Sequence, residues 1–381
     1  MYLRNPVDDP GENGARGRRE AFGGPFVFQW HLTDRCERSC RHCYREGPPR
    51  RDLGEAGQLS VLEAIRAFLA KRGLRGRLHL AGGEPALCPG LDRLLAAIAR
   101  AGLPFRFLTG GVGLTPSRAA DLARSGCVGV QVSVEGTEAT HDALRGEGGF
   151  RQAMEGVCCA RAAGLPVTLA MTLHRENLAD LEAVGRLAEA AADRVYFSRL
   201  IPAGHGASLG VLPNRAAWAG ALRRILALAD TLRVPVALRD PTFRPLLAAP
   251  WHAGHSPAIS GCSAGYRTLT VESDGEVLPC RRLALPVGHA LEGGLEQAWE
   301  AHPLLIALRD RDRLKGRCGR CAYRWVCGGC RAVPRAVSGD PFGEDPQCPW
   351  AGSALFRFRV MLLHLARQGR FRWRLATRRF P

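Results

Sequence analysis

Three cysteines stand close together near the start of the chain in the pattern Cys-x3-Cys-x2-Cys: Cys36, Cys40 and Cys43. Three thiolates packed this closely cannot each reach a separate disulfide partner, but together they can hold one metal centre. Iron–sulfur clusters are normally held by four cysteine thiolates, so three ligands leave one iron without a protein ligand. Because a substrate or cofactor can bind at an open metal position, this spacing predicts a reactive iron–sulfur centre. A zinc knuckle, or three unrelated buried thiols, is the plainer interpretation.

The elements around the triplet place it where α/β folds carry out their chemistry. The apolar segment Phe26–Leu32 predicts a buried strand, so the cysteines lie on a loop that follows a strand. A second polar loop, Ala81–Pro85, has the sequence Ala-Gly-Gly-Glu-Pro and ends the next strand-like segment, Arg77–Leu80. Its two glycines would let the backbone approach a ligand closely, and its proline would stiffen the turn. Taken alone, this second loop is a weak signal.

In these two loops the chain resembles the radical S-adenosylmethionine (SAM) enzymes. The resemblance implies that the three cysteines hold a 4Fe-4S cluster, whose fourth iron binds SAM through its amino and carboxylate groups. One electron then cleaves SAM to methionine and a 5′-deoxyadenosyl radical, which abstracts a hydrogen atom from the substrate. The resemblance implies further SAM contacts at His42, Gly82, Gly83, Glu84, Pro85, Ser133 and Glu135. The family usually has Asp where this chain has Glu135.

Composition narrows the class of protein. The chain has 381 residues, of which 46% are hydrophobic, as expected for one large globular domain with a smaller one. It contains no apolar run of about 18 residues, which a transmembrane helix would need. Residues 1–20 are polar and lack the apolar core of a secretory signal, which predicts a cytoplasmic protein.

The formal net charge is +17, from 53 basic and 36 acidic residues. Such a charge favours an acidic partner. A nucleic acid is not expected, because the sequence contains no recognised nucleic-acid-binding module. An acidic peptide fits, and so does a negatively charged reductant such as ferredoxin or flavodoxin. The plainer interpretation is that the arginines are spread over a solvated surface.

A second group of cysteines lies in the C-terminal third of the chain. Fourteen cysteines in a chain without an export signal favour metal binding over disulfides. Seven of them form this group: Cys262, Cys280, Cys318, Cys321, Cys327, Cys330 and Cys348. Its two Cys-x2-Cys pairs are five residues apart, whereas a zinc ribbon needs roughly 15–20. The remaining four are expected to pack as small hydrophobic residues: Cys88, Cys127, Cys158 and Cys159.

This second group resembles the SPASM domain, a C-terminal extension of radical SAM enzymes that carries two auxiliary 4Fe-4S clusters. The resemblance implies an outer cluster at Cys318, Cys321, Cys327 and Cys348, and an inner cluster at Cys262, Cys280 and Cys330. Some members supply an eighth cysteine, but the segment Trp251–Gly261 contains none. The inner cluster is therefore expected to have an open iron, which His255 or a substrate thiolate could fill.

Strands and helices alternate along the first part of the chain, which predicts a parallel sheet. The strand-like segments are Phe26–Leu32, Leu78–Ala81, Phe105–Leu108, Val128–Val134, Val167–Thr172 and Arg194–Leu200. Ser60, with Glu63 three residues later, predicts the start of the first helix. We expect an α/β fold, a partial (β/α)6 TIM-like barrel with a C-terminal iron–sulfur SPASM extension. The expected domains are a flexible arm (1–24), the barrel (25–210), a helical linker (211–254), the SPASM domain (255–350) and a basic helix and tail (351–381).

SPASM enzymes mostly modify peptides or proteins, and the segment Phe28–Cys36 resembles that of maturases of small ribosomal peptides. The expected reaction is hydrogen abstraction from a peptide or protein, leading to a thioether or another oxidative crosslink. The alternatives are a tetrapyrrole enzyme of the haem pathway and, from a different class, a non-catalytic iron–sulfur electron carrier. The segment before Phe26 is too short for a fused peptide-recognition domain. A separate partner, or the barrel itself, is therefore expected to recognise any leader peptide.

Two arginines, Arg281 and Arg282, directly follow Cys280. Sulfatase-activating relatives have a catalytic Asp after this cysteine, so Arg281 argues against that activity. The planar fork of an arginine binds both oxygens of a carboxylate, which makes the pair candidate contacts for an acidic part of the substrate. Neighbouring side chains of a strand point to opposite faces. One arginine is therefore expected to face the cavity and the other to pair at the surface.

Overall fold

The computed structural model describes residues 24–45, 47–209, 214–238, 240–246, 261–291 and 294–350. The expected N-terminal arm up to residue 23, His255, and the C-terminal helix and tail lie outside these ranges. Within them, ten strands form one sheet. The strands are β1 Phe26–His31, β2 Gly76–Ala81, β3 Phe105–Thr109, β4 Cys127–Ser133, β5 Val167–Leu173, β6 Arg194–Arg199, β7 Val236–Leu238, β8 Thr268–Val271, β9 Glu276–Leu278 and β10 Gly288–His289.

Strands β1 to β6 are parallel, and each lies beside the next one in sequence. Parallel neighbours need a crossover connection, which the intervening helices supply. The predicted α/β fold with a partial barrel is confirmed. The carboxyl ends of these six strands meet at one edge of the sheet, and barrels of this kind place their active sites at that edge.

A seventh parallel strand, β7, extends the sheet beyond β6. It lies inside the segment that the sequence pattern predicts as a helical linker. Three residues are too few to show the alternation of apolar and polar residues that identifies a strand from sequence. The barrel sheet therefore continues past residue 210.

The C-terminal extension contains a β-hairpin. Strands β8 and β9 are antiparallel, and the turn between them contains Gly275, which has a φ of 94°. Strand β8 also pairs in parallel with β1, so the sheet order is β10-β9-β8-β1-β2-β3-β4-β5-β6-β7. The extension is thus continuous with the barrel and is fixed to the strand that leads into the first cysteine loop.

The helices are α1 Glu55–Arg72, α2 Leu91–Arg100, α3 Pro116–Arg124, α4 Glu138–Arg145, α5 Gly149–Ala162, α6 Leu181–Ala191, α7 His205–Ser208, α8 Arg215–Thr231, α9 Gly294–Ala301, α10 Pro303–Arg309, α11 Gly316–Gly319 and α12 Ala332–Ser338. The predicted start of α1 at Ser60 is wrong. The Ser60 hydroxyl lies inside the helix and donates to the carbonyl of Ala56. Glu55 in the first turn favours the earlier start, because it complements the positive end of the helix dipole. No helix of the described chain is long and apolar enough to cross a membrane.

Aromatic packing also joins the extension to the barrel. Phe26 of β1 and Phe68 of α1 are buried. Trp299 of α9 packs against both, with ring centroids 5.1 Å and 5.8 Å away. Aromatic side chains of this size dominate the energetics of a core contact. The extension is therefore held to the barrel by packing as well as by strand pairing.

Candidate active site

A cavity of about 400 Å³ lies at the carboxyl ends of the barrel strands. Gln131 and Ser133 of β4 both line it, because residues two apart in a strand share a face. Besides Ser133, the sequence-predicted residues that line it are Cys36, Cys40, Cys43, His42, Gly82, Gly83, Glu84, Arg281 and Arg282. The structure therefore brings both N-terminal loops and the arginine pair of the extension to one cavity.

The glycine loop is packed directly against the backbone of the cysteine loop. The N–H of Gly83 donates to the carbonyl of Thr33 at 2.8 Å, and the N–H of Glu84 donates to the carbonyl of Arg35 at 2.8 Å. A Cβ added at Gly82 would lie 2.4 Å from the Thr33 oxygen, and one at Gly83 would lie 2.2 Å from the Arg35 oxygen. Glycine is therefore required at both positions because the backbones of the two loops are in contact. The sequence prediction gave a different reason, the close approach of a ligand.

Glu84 ties the glycine loop to the end of β3. Its side chain is buried and accepts hydrogen bonds from the Thr109 hydroxyl and the Gly110 N–H, each at 2.8 Å. Burial raises its pKa to about 7, although these hydrogen bonds oppose the shift. Pro85 is buried next to it and begins a short 3-10 turn. The carboxylate thus braces the cavity wall, and its direct contact with SAM remains a prediction.

Glu135 anchors a buried cluster behind the cysteine loop. Its carboxylate accepts from Arg145 Nη2 at 2.6 Å and from the Thr172 N–H at 2.8 Å, and lies 3.2 Å from His42 Nε2. Burial alone would raise its pKa, but His42 and Arg145 outweigh burial and hold the pKa well below its usual range. Arg145 Nη1 in turn lies 3.9 Å from the Cys40 sulfur. Glu135 therefore acts on the cavity through its neighbours, and its direct contact with SAM remains a prediction.

Arg145 also lines the cavity, although the sequence pattern does not single it out as a ligand contact. It is the last residue of α4, and its only sequence signal is its place after the fourth strand. Its guanidinium puts a positive charge beside the cysteine loop, where a cluster and the SAM carboxylate would both be negative. Such a charge is worth more in a site that excludes water.

His141 is expected to make the folding stability of the protein depend on pH. It is buried under Glu135, and its Nδ1 accepts the Glu135 N–H at 3.2 Å. Burial, followed by nearby Arg145, lowers its pKa from 6.5 to about 4. The unfolded chain therefore binds a proton at a higher pH than the folded chain does, so stability is full above pH 6.5 and is lost as the pH falls towards 4.

We expect the wild-type protein to lose about 2 kcal/mol of stability from this residue between roughly pH 6.5 and pH 5. His141→Gln keeps an acceptor for the Glu135 N–H but cannot titrate. Its unfolding temperature should therefore fall less steeply over the same pH range. Parallel pH curves for the two proteins, measured by thermal unfolding, would contradict this assignment.

The expectation that only one of Arg281 and Arg282 faces the cavity is wrong, because both line it. The Leu283 N–H donates to the Cys280 carbonyl at 2.8 Å, so the two arginines occupy a tight turn and not a strand. The alternation rule for strands does not apply to a turn. Arg281 donates to Gln29 Oε1 at 3.0 Å, and Arg282 donates to the backbone carbonyl of the last residue of β6 at 3.3 Å.

A buried hydrogen-bonded chain links the hairpin to the cysteine loop. Glu272, directly after β8, lies 2.8 Å from His31 Nδ1. His31 Nε2 lies 3.2 Å from the hydroxyl of Tyr44, which follows Cys43 and lines the cavity. Burial raises the pKa of Tyr44, although Arg281 opposes the shift. These two contacts connect the hairpin to the residue that directly follows the cysteine triplet.

Three sulfurs of the second cysteine group accept backbone hydrogen bonds. Cys318 Sγ accepts from the N–H of Asp345 at 3.4 Å, Cys321 Sγ from that of Tyr323 at 3.4 Å, and Cys327 Sγ from that of Gly329 at 3.3 Å. N–H groups aimed at thiolate sulfur stabilise iron–sulfur clusters and tune their potentials. The thiols present therefore fit such a cluster.

The electrostatic neighbours of the thiols agree with the two expected sets. Burial, and then Asp345, Cys318 and Cys321, raise the pKa of Cys348 to about 12. Burial raises the pKa of Cys330 to about 12 as well, and Cys262 is the thiol that adds to this shift. Metal binding must displace such protons. Within the described ranges, no three His, Cys, Asp or Glu side chains converge closely enough to hold a single metal ion, so the ligand sets remain a prediction.

Comparison with known proteins identifies both parts of the chain. Residues 30–188 match the model of the Radical SAM superfamily, and residues 262–322 match the SPASM iron-sulfur cluster-binding domain. The chain is 33% identical to the PqqA peptide cyclase of Ruegeria pomeroyi, covering 85% of this chain and 87% of that protein. It is 31% identical to the AdoMet-dependent heme synthase of Methanosarcina barkeri, covering 85% and 96%.

A solved structure agrees with the fold. SuiB of Streptococcus suis, bound to the precursor peptide SuiA, superposes with a TM-score of 0.70 at 17% identity, covering 85% of this chain and 75% of that one. The two regions that match the family models contain the cysteine loop, the glycine loop and the first four cysteines of the second group. The chain is therefore a member of the radical SAM superfamily, an enzyme with a SPASM extension that binds SAM and 4Fe-4S clusters.

Proposed function

We propose that the protein uses the 5′-deoxyadenosyl radical to take a hydrogen atom from a peptide or protein, as the maturase of a small ribosomal peptide. The observation that carries this proposal is the cavity at the strand ends, which brings three thiols, the glycine loop and two arginines together. The name of the PqqA peptide cyclase, and that of the mycofactocin maturase at 30% identity, support this class of substrate. A thioether or another oxidative crosslink is the proposed product.

The side chains around the cavity would have three different roles in this reaction. Cys36, Cys40 and Cys43 would hold the 4Fe-4S cluster, which supplies the electron that cleaves SAM when both are bound. Arg145 would balance the negative charge that this site collects. The turn that carries Arg281 and Arg282 would bind and orient an acidic part of the substrate, because both side chains line the cavity.

We assign the outer auxiliary cluster to Cys318, Cys321, Cys327 and Cys348, and the inner one to Cys262, Cys280 and Cys330. The hydrogen bonds to sulfur described above support the outer set. A one-electron donor such as ferredoxin or flavodoxin would supply electrons, and the net charge of +17 suits an acidic donor. A separate partner would present the leader of the peptide. Free thiols persist in a reducing compartment, which supports a place in the cytoplasm.

A tetrapyrrole of the haem pathway is the second candidate substrate. The AdoMet-dependent heme synthase is as similar to this chain as the peptide enzymes are. Arg281 and Arg282 on one wall could bind the carboxylates of a porphyrin as well as those of a peptide. The arginine pair therefore supports an anionic substrate in either case.

Removing either arginine is expected to weaken substrate binding. We expect Arg281→Ala and Arg282→Ala each to raise the Michaelis constant for substrate about tenfold or more, because a charged hydrogen bond worth roughly 1.5–3 kcal/mol is lost. SAM cleavage in the absence of substrate should keep its wild-type rate. The measurement is a steady-state assay of product formation for each variant.

Arg161→Ala is the matched control, because Arg161 is an exposed arginine on α5. It should keep wild-type kinetics. Unchanged Michaelis constants in both cavity variants would rule out the binding role. Loss of iron or of solubility in both would instead show that the turn only braces the extension.

A substrate panel tests the proposal itself. The reconstituted protein is incubated anaerobically with SAM, dithionite and either short peptides encoded beside its gene or a porphyrin with free propionate groups. Mass spectrometry then follows the loss of hydrogen from each candidate. Oxidation of a peptide supports the proposed function, and oxidation of only the porphyrin would replace it with the tetrapyrrole alternative.

A further inference from the structure

A buried ion network joins β6 of the barrel to the C-terminal extension. Arg199, the last residue of β6, donates to both carboxylate oxygens of Asp345, at 3.0 Å and 2.7 Å. Its Nε donates to Asp240 at 2.8 Å. The side chains of Arg199 and Asp345 are both 0% exposed. Two carboxylates share this guanidinium, and Arg331, whose Nη2 lies 3.8 Å from Cys318 Sγ, adds a second positive charge near Asp345.

Asp345 also contacts two cysteines that we assign to different clusters. Its Oδ2 accepts the backbone N–H of Cys330 at 3.0 Å, and its own N–H donates to Cys318 Sγ at 3.4 Å. Cys330 is a proposed ligand of the inner cluster, and Cys318 is a proposed ligand of the outer one. One residue therefore touches the ligand sets of both auxiliary clusters.

The same network reaches the catalytic cavity. Arg199 lines the cavity, and its backbone carbonyl accepts a hydrogen bond from Arg282 at 3.3 Å. A continuous path of polar contacts thus runs from the cavity wall through Arg199 and Asp345 to Cys330 and Cys318. A buried bidentate ion pair holds its groups in one geometry, so this path fixes the cluster ligands relative to the cavity.

We propose that Asp345 is a positioning residue that holds both auxiliary clusters in place relative to the cavity and keeps their reduction potentials low through its negative charge. This inference rests on the ligand assignment made under the proposed function. A nearby negative charge opposes the addition of an electron to a cluster, and it does so most strongly where water is excluded. The positive charge of Arg199 is shared between Asp345 and Asp240, and Arg331 contributes a further positive charge near Asp345.

The test is a redox titration followed by electron paramagnetic resonance on the anaerobically reconstituted protein. Asp345→Asn keeps the size of the side chain and one acceptor oxygen but removes the charge. We expect the midpoint potentials of the auxiliary clusters to shift to more positive values. Asp240→Asn is the matched control: it removes a carboxylate from the same guanidinium, but the hydrogen bonds of Asp240 go to Arg199 and Thr242. Its shift should be clearly smaller.

Unchanged potentials in Asp345→Asn, or equal shifts in the two variants, would overturn the proposal. A purely bracing role would lower the unfolding temperature of both variants without moving the potentials. Loss of the auxiliary irons in Asp345→Asn alone would support the positioning role, whereas loss in both variants would contradict it. A wild-type protein without auxiliary-cluster signals would refute the ligand assignment itself, which separates the two failures.

Discussion

Replacing Cys36, Cys40 and Cys43 together by alanine is expected to abolish SAM cleavage. The three thiols lie on one loop of the cavity. Without these ligands, no cluster with an open iron for SAM can be held there. The cysteines that we propose as ligands of the auxiliary clusters begin at Cys262 and lie on the extension. Iron content should therefore fall only from about twelve to about eight atoms per chain, if each cluster has four irons. The measurements are 5′-deoxyadenosine formation and chemical iron analysis.

Cys158→Ala is the matched control for this variant. Cys158 is an exposed thiol on α5 that belongs to neither cysteine group, so its loss should change neither the iron content nor SAM cleavage. Continued formation of 5′-deoxyadenosine by the triple variant would mean that the radical chemistry belongs to other cysteines. Zinc in place of iron at the second group would show that the extension holds no auxiliary clusters.

The substitution Gly83→Ala, which adds a single methyl group, is also expected to lower the rate of SAM cleavage strongly. The Cβ of Gly83→Ala would meet the Arg35 carbonyl at 2.2 Å, so the glycine loop and the cysteine loop would have to separate by about 1 Å. A displacement of that size in a catalytic site can cost about a hundredfold in rate. We expect a loss of SAM cleavage of this order, measured as 5′-deoxyadenosine per minute.

Gly220→Ala provides the comparison, because Gly220 lies in α8 and an added Cβ there meets nothing within 4 Å. Alanine favours a helix interior by up to about 1 kcal/mol over glycine, so this variant should be fully active and slightly more stable. Iron content and unfolding temperature are measured for both variants. Wild-type activity in Gly83→Ala would show that the two loops need not be in contact.

The parts of the site that lie within short stretches of chain are predictable from sequence. The triplet Cys36–Cys43 and the loop Gly82–Glu84 carry their chemistry in residue type and spacing. Strands β1 to β6 are predictable because apolar strands alternate with helices, and this alternation also implies their parallel order. The physical role of the glycines is less visible, since the carbonyls that exclude a side chain belong to another loop.

Contacts between distant segments lie beyond such patterns. The pairing of β8 with β1 brings Glu272 to His31, which is 241 residues away in sequence, and no local pattern marks either partner. Arg145 reaches the cysteine loop only because α4 follows β4 at the right edge of the sheet. Arg281 and Arg282 lie in a tight turn, which points both side chains into the cavity. In a strand the same two side chains would point to opposite faces. Packing of the whole chain decides these contacts.

The release of 5′-deoxyadenosine tests the central claim most directly. The wild-type protein, reconstituted anaerobically with iron and sulfide, is incubated with SAM and dithionite, and the products are separated by chromatography. A cluster at Cys36, Cys40 and Cys43 with an open iron predicts that 5′-deoxyadenosine and methionine appear in equal amounts. Intact SAM after incubation with protein that holds its full complement of iron would contradict the account.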